Sequence, residues 1–149
     1  LNSNNLIEEY VISKRYPSSL EIKIIETELL ALLNKKGKSF YIGSNGKLIE
    51  AEDVVKNLPY IFGDPNIEKF LSLKKMIDSS KLDYNDVENL FFFPSGRWDI
   101  ETSSGILIKL PIENIEKSLE LSLNLLDYKQ FDNIKSIDAR PQNQVITYE

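Results

Sequence analysis

Strict alternation of apolar and charged residues marks the first third of the chain. Leu20-Glu21-Ile22-Lys23-Ile24 has the period of two that places one face of a strand in a core and the other in solvent. Residues 10–16 before it are rich in β-formers and stop at Pro17-Ser18-Ser19, a turn signal, so the two runs predict a β-hairpin. A third strand is expected over residues 29–33, ending at Asn34-Lys35-Lys36-Gly37. Residues 39–42 and 47–49 flank Gly43-Ser44-Asn45-Gly46, whose Asn-Gly pair predicts a second hairpin.

The period then changes. A short helical turn is expected over residues 51–57, before Leu58-Pro59, and Phe62-Gly63-Asp64-Pro65 breaks the chain. Asn66 is placed to cap a helix over residues 67–77, where Ile67, Phe70, Leu71, Leu73, Met76 and Ile77 fall mostly on one face. Residues 87–93 predict a strand buried on both faces. Residues 98–102 alternate, turn at Ser103-Ser104-Gly105 and return over 106–110 as another hairpin. The strongest helical signal spans residues 113–129, with Ile115, Leu119, Leu123 and Leu126 at spacings of three and four and Leu121 and Leu125 widening the stripe. Glu113 and Glu116 are expected in its first turn and Lys129 near its end, matching the helix dipole. Two last strands are expected over residues 134–140 and 145–148. Hairpins with two inserted helices predict an α+β fold: a mostly antiparallel sheet with about two helices packed on it.

Composition removes whole classes of chemistry. The 149 residues include no Cys and no His, which excludes disulfides, thiolate nucleophiles, imidazole bases and Ser-His-Asp catalysis. The formal charge is −5 and the pI 4.9; three of the 18 cations are Arg (Arg15, Arg97, Arg140), and the Lys35-Lys36-Gly37-Lys38 cluster is short and turn-like. Nucleic acid is therefore not an expected partner. No apolar run reaches the ~18–20 residues of a membrane span. The chain opens with Leu1 and carries its one Met at position 76, so it reads as part of a longer protein.

Candidate sites are correspondingly few. Asp83, Asp86 and Glu88 read as solvated loop charges rather than an acid–base or calcium cluster, since the alternating ligands and central Gly of a calcium loop are missing. Gly43-x-x-Gly46 is not followed by the Lys-Ser/Thr pair and helix N-terminus of a phosphate loop. Phe91, Phe92 and Phe93 read as core, and Trp98 as core with Arg97 laid along its ring. No catalytic residue, metal site or cofactor is expected. The short last strand, Gln144-Val145-Ile146-Thr147-Tyr148, is different. A terminal strand leaves backbone groups unpaired and is a template for strand addition, by a partner or by self-association.

Several segments, taken in order, resemble the extracytoplasmic part of the bacterial cell-division family FtsQ/DivIB. Val11-x-x-Lys14-Arg15-Tyr16-Pro17-x-x-Leu20-x-Ile22-x-Ile24-x-Glu26 is similar to the hairpin that closes the family's POTRA domain. Leu58-Pro59 before Gly63 is similar to its LP…G loop. Gly96-Arg97-Trp98 followed by Ser104-Gly105-Ile106-x-Ile108-x-Leu110-Pro111 resembles its GRW hairpin, and Ile137-Asp138-Ala139-Arg140 its IDLR-like strand. The resemblance implies the end of a POTRA domain over residues 1–33 and a curved, mostly antiparallel β domain over 34–149. It implies a non-enzymatic divisome scaffold, anchored in the inner membrane by a single span with this part in the periplasm at the septum. The implied partners are FtsB and FtsL, with FtsB adding a strand at the last β-strand. Carried over by position, that site is Pro141, Asn143, Gln144, Val145, Ile146, Thr147 and Tyr148, with Gly96, Arg97 and Trp98 as a structural motif. Ala139 stands where the family has a larger apolar residue, and Pro141, lacking an N–H, places the start of pairing after it. The alternative reading is a cell-wall carbohydrate-binding domain or carboxylate glycosidase, which requires Trp98 and residues 91–93 to be exposed.

Overall fold

A computed structural model describes residues 7–15, 19–53, 57–128, 133–142 and 144–149, with side chains from residue 26 onward. The chain divides into two compact units, residues 1–54 and 55–149.

In the first unit, β1 (Ile7–Arg15) and β2 (Ser19–Glu26) form the expected antiparallel hairpin, in one register from Arg15 opposite Ser19 to Glu9 opposite Ile25 and shifted before Ile7 opposite Glu26. β3 (Leu29–Lys35), β4 (Lys38–Gly43) and β5 (Leu48–Glu50) form an antiparallel meander. The tight two-residue turn joins β3 to β4: Lys36 and Gly37 both take positive φ, 53° and 81°, as the mirror-image hairpin turn requires. The Asn45-Gly46 hairpin instead has one left-handed residue, Gly46, while the Asn45 carboxamide accepts from the Lys47 N–H and donates to Thr27. Ala31, Leu32, Leu33, Tyr41 and Ile42 are buried. The helical turn expected over residues 51–57 is not seen in its described part: 51–53 are irregular or bent and Asn57 lies in a turn, with 54–56 outside the described residues.

The second unit contains β6 (Tyr60–Phe62), α1 (Ile67–Asp78), β7 (Val87–Phe92), β8 (Trp98–Thr102), β9 (Leu107–Lys109), α2 (Ile115–Leu126), β10 (Ser136–Asp138) and β11 (Ile146–Tyr148). Its strands run in the order β11-β10-β9-β8-β7-β6. Two pairs are parallel, β6 with β7 and β9 with β10, and each is joined through a helix, because a parallel pair needs a long crossover. The first strands of the two crossovers point the same way and both crossovers advance in the same direction across the sheet. Right-handed connections therefore put α1 and α2 on one face, where they touch each other.

That face is built on one register row. Ile61, Leu90, Ile100, Ile108 and Ile137 lie side by side on five adjacent strands, and all are essentially inaccessible. Phe70, Leu73 and Ile77 of α1, with Leu119 and Leu123 of α2, supply the buried helical stripes. Full burial of each such side chain stabilises the fold by about 1.5–3 kcal/mol. Asn66 caps α1 as expected, its side chain accepting from the Glu68 N–H at 2.7 Å. α2 begins at Ile115, the first residue of its apolar pattern and two residues after the expected start at 113. Asn114, at φ 56°, precedes it without a side-chain cap, so Glu113 lies outside the first turn and Glu116 within it. Lys129 lies outside the described residues.

Residues 91–93 correct the expectation of a strand buried on both faces. Leu90 is fully buried on the helix side, whereas Phe91, Phe92 and Phe93 are each half-buried. Phe91 points to the helix-free face and stacks on Phe62 of β6, with centroids 5.0 Å apart. Trp98 is core, 2% exposed and tilted against Phe92. Arg97 does not lie along the indole; its guanidinium sits 4.1 Å from the centre of the Phe93 ring. The Gly96-Arg97-Trp98 segment thus sends its Trp into the core and its Arg to the opposite face, the alternation of a strand entering the sheet.

Candidate functional site

β11 is the terminal strand of the second unit's sheet. It pairs antiparallel with β10, Ser136 opposite Tyr148, Ile137 opposite Thr147 and Asp138 opposite Ile146. Among the described residues no strand pairs with its other side. The Tyr148 carbonyl accepts from the Lys135 N–H at 2.8 Å, so the Tyr148 backbone groups face β10. Backbone direction alternates along a strand, so the N–H and C=O of Thr147 point away from the sheet. Ile146 and Tyr148 lie on the helix-free face and are 40% and 51% exposed. Thr147 lies on the helix side, at the end of the buried row that runs from Ile61 to Ile137. The strand is shorter than the sequence suggested: Gln144 and Val145 precede it in irregular backbone, and Asn143 lies outside the described residues.

Two surfaces flank this edge. On the helix side, a groove of about 410 Å³ runs between the start of α2 and the β10–β11 connection, lined by Pro111, Lys117, Ser118 and Leu121 on one wall and Ala139, Arg140, Pro141, Gln144 and Val145 on the other. On the helix-free face, the row that ends at Ile146 passes through Asp138, Lys109, Asp99 and Phe91 to Phe62. Arg97, just before β8, and Arg140, two residues beyond the end of β10, reach the Asp99 and Asp138 carboxylates of this row. Arg140 donates from Nε and Nη2 to the Asp138 carboxylate at 2.8 and 2.5 Å, and its backbone N–H donates to Asp138 Oδ1 at 3.1 Å. These hydrogen bonds hold the Asp138 carboxyl below the usual carboxylate range, against the opposing effect of burial. Asp99 receives longer contacts from Arg97, 3.2 and 3.4 Å, and burial pushes its pKa up despite Arg97, Arg140 and Lys109.

Sequence reasoning missed this charged row. Its signal was present in the spacing, since Arg97-x-Asp99 and Asp138-x-Arg140 both join opposite charges at i and i+2, which a strand places on one face. Asp83 is a local cap, accepting from the Asn85 N–H, and no group of metal-binding side chains occurs among the described residues. With Trp98 buried, the Trp-based carbohydrate platform of the alternative reading is not formed.

A sequence model described as "Cell division protein FtsQ/DivIB, C-terminal" matches residues 31–140. The chain belongs to the FtsQ/DivIB family. Among curated FtsQ/DivIB proteins it is 27% identical over 147 residues to the cell division protein FtsQ of Rickettsia bellii, covering 97% of this chain and 55% of that protein. It is 31% identical over 168 residues to the cell division protein DivIB of Clostridium botulinum, covering 99% of this chain and 65% of that protein. It therefore spans roughly half to two-thirds of the length of these two relatives. A solved structure of the major extracytoplasmic domain of DivIB from Geobacillus stearothermophilus aligns over 66% of this chain and 87% of that one, with a TM-score of 0.47 and 15% identity. No helix among the described residues is long and apolar enough to cross a membrane.

Proposed function

We propose that this FtsQ/DivIB chain is a non-enzymatic scaffold of the cell-division machinery that binds a partner by strand addition to β11. The observation that carries this reading is the outward N–H and C=O of Thr147 on a terminal strand whose two neighbouring residues expose apolar side chains. Main-chain bonds to Thr147 supply affinity, and the alternating faces supply selectivity. On the helix-free side the partner's residues meet Ile146, Tyr148 and the Arg140–Asp138 pair. On the helix side they meet Thr147 and the groove lined by Leu121, Pro141, Gln144 and Val145.

Family membership makes the extracytoplasmic segment of FtsB the partner of choice, with FtsL associated through it. The same membership supports a parent protein held by one span in the inner membrane, with this part in the periplasm at the septum, and residues 1–33 as the end of a POTRA domain before a β domain over 34–149. The test is calorimetric titration with the extracytoplasmic segment of the cognate FtsB. Thr147→Pro removes the outward N–H while leaving the ladder to β10 its donors, so saturable binding by the parent chain should be lost in a variant whose Trp98 emission is unchanged. Full binding by Thr147→Pro, or none by the folded parent chain, refutes strand addition at β11.

A further inference from the structure

We propose that the seam between α1 and α2, on the face opposite Ile146 and Tyr148, is a second docking site whose occupant is an amphipathic helix of a partner chain, apolar along one stripe and basic where it passes Glu116 and Glu120. The proposal goes beyond strand addition at β11 and does not rest on it. The topology creates the seam. α1 crosses from β6 to β7 and α2 from β9 to β10, so the helices lie over strand pairs centred three spacings apart, about 14 Å at ~4.8 Å each. Closely packed helices stand about 8–10 Å apart, so the seam is left partly open. Three adjoining hollows of about 230, 330 and 360 Å³ run along it. Met76 borders all three, and Leu73, Ile115, Leu123 and Trp98 of the underlying β8 complete the apolar lining. Ile112 stands on the rim, 57% exposed.

The walls decide the class of occupant. Both are helices, whose backbone groups are bonded within themselves, so an extended segment laid in the furrow finds no main-chain partners, whereas a helix brings its own. A third helix about 10 Å from each wall sits roughly 7 Å above their plane, over the apolar lining. Met76, the chain's one methionine, is unbranched and repacks around the side chains that enter. Charge sets the rest. Of the lysines beside the furrow, Lys69 lies 5.6 Å from the centre of the Phe92 ring, Lys81 is bonded to Asn124 and Asp127, and Lys117 is also engaged. The carboxylates of Glu116 and Glu120 have no hydrogen bond or ion pair among the described residues. One turn apart on α2, they repel each other, and two basic side chains at the same spacing on the occupant neutralise both.

Fluorescence anisotropy of the 149-residue chain with two stapled helical peptides of about 14 residues tests this. Both peptides carry leucines along one face; one has two lysines a turn apart beside that stripe, and its twin has two glutamates there. The parent chain should bind the lysine peptide about tenfold more tightly than the twin, and E116K/E120K should reverse the order, as follows when two exposed ion pairs become like-charge contacts. Ile112→Asp should weaken both peptides. Trp98 emission should be unchanged in each variant. Equal binding of the two peptides by the parent, binding of neither, an order unchanged in E116K/E120K, or an I112D chain that binds like the parent overturns the proposal. So does a chain whose mass doubles with concentration unless Ile112 is replaced, because a second copy is then the occupant. Titration with the FtsB segment keeps the two surfaces apart: I112D and E116K/E120K should bind it as the parent does, while T147P should lose it and keep the lysine peptide. A T147P chain that loses both ligands overturns the separation of the sites, and a parent that binds the lysine peptide but never the segment refutes strand addition alone.

Discussion

Replacing Asp138 by Asn should destabilise the protein by about 1.5–2 kcal/mol at neutral pH, the lower part of the range for hydrogen bonds between charged groups. The lower part applies because the Asp138 side chain is 8% exposed but that of Arg140 is 42% exposed, so water recovers part of the lost interaction. Asp99→Asn makes the matched control. It removes an equally buried carboxylate whose contacts to Arg97 are longer, and whose ionised form burial already disfavours, so the change should cost less than Asp138→Asn. The pH dependences have opposite signs. Asp138 has a lowered folded-state pKa, so its contribution is complete above the ordinary value of 3.8 and disappears as pH falls through the folded value. Asp99 has a raised one, so the fold gains stability as pH falls through it. Urea unfolding followed by Trp98 fluorescence, at neutral pH and again in acid, reads both. A D138N penalty no larger than that of D99N, or one undiminished in acid, refutes the assignment of the strong pair to Asp138 and Arg140.

Two further outcomes follow from packing. Gly63 has φ 105° and a Cβ added there would overlap the Phe92 carbonyl oxygen, so Gly63→Ala should cost about 2–3 kcal/mol, seen as a lower urea midpoint with an unchanged slope; wild-type stability in this variant would contradict the close approach. Trp98, at 2% exposure, should emit at short wavelength and resist acrylamide quenching until the protein unfolds, and an emission maximum typical of a solvated indole would show the core face assigned wrongly.

Most strands and both helices were legible because their faces differ sharply in polarity. The alternation from Leu20 to Ile24 lies within a paired strand, and the Asn66 cap and the stripe through Leu119 and Leu123 mark helices with one buried face. Residues 91–93 were misread because composition alone cannot tell a strand covered on two faces from one covered on a single face and lined with aromatics on the other; only the shared side of the two crossover helices settles it. The parallel pairs were hidden for a related reason, since pairing partners are set by crossovers of more than twenty residues rather than by local turns. At the candidate site, the terminal position of the last strand was legible. The direction of the Thr147 backbone groups was not, because it depends on register against β10.

The crossover from β9 through α2 to β10 also has a kinetic meaning. β7, β8 and β9 follow one another through short turns and can zip locally, whereas β10 reaches β9 only after the chain between Leu110 and Lys135 has closed on itself. Long-range closure of this kind is paid in chain entropy before its contacts form, so β10 and then β11 dock last. The segment that assembles last pairs on one side through three residues and reopens first, in sub-global excursions that leave β7, β8 and β9 paired. In hydrogen exchange the amides of Ile146–Tyr148 should accordingly turn over far ahead of those of Leu90 and Ile100. On the proposed function, the edge that takes a partner strand is then the part of the sheet most easily remade.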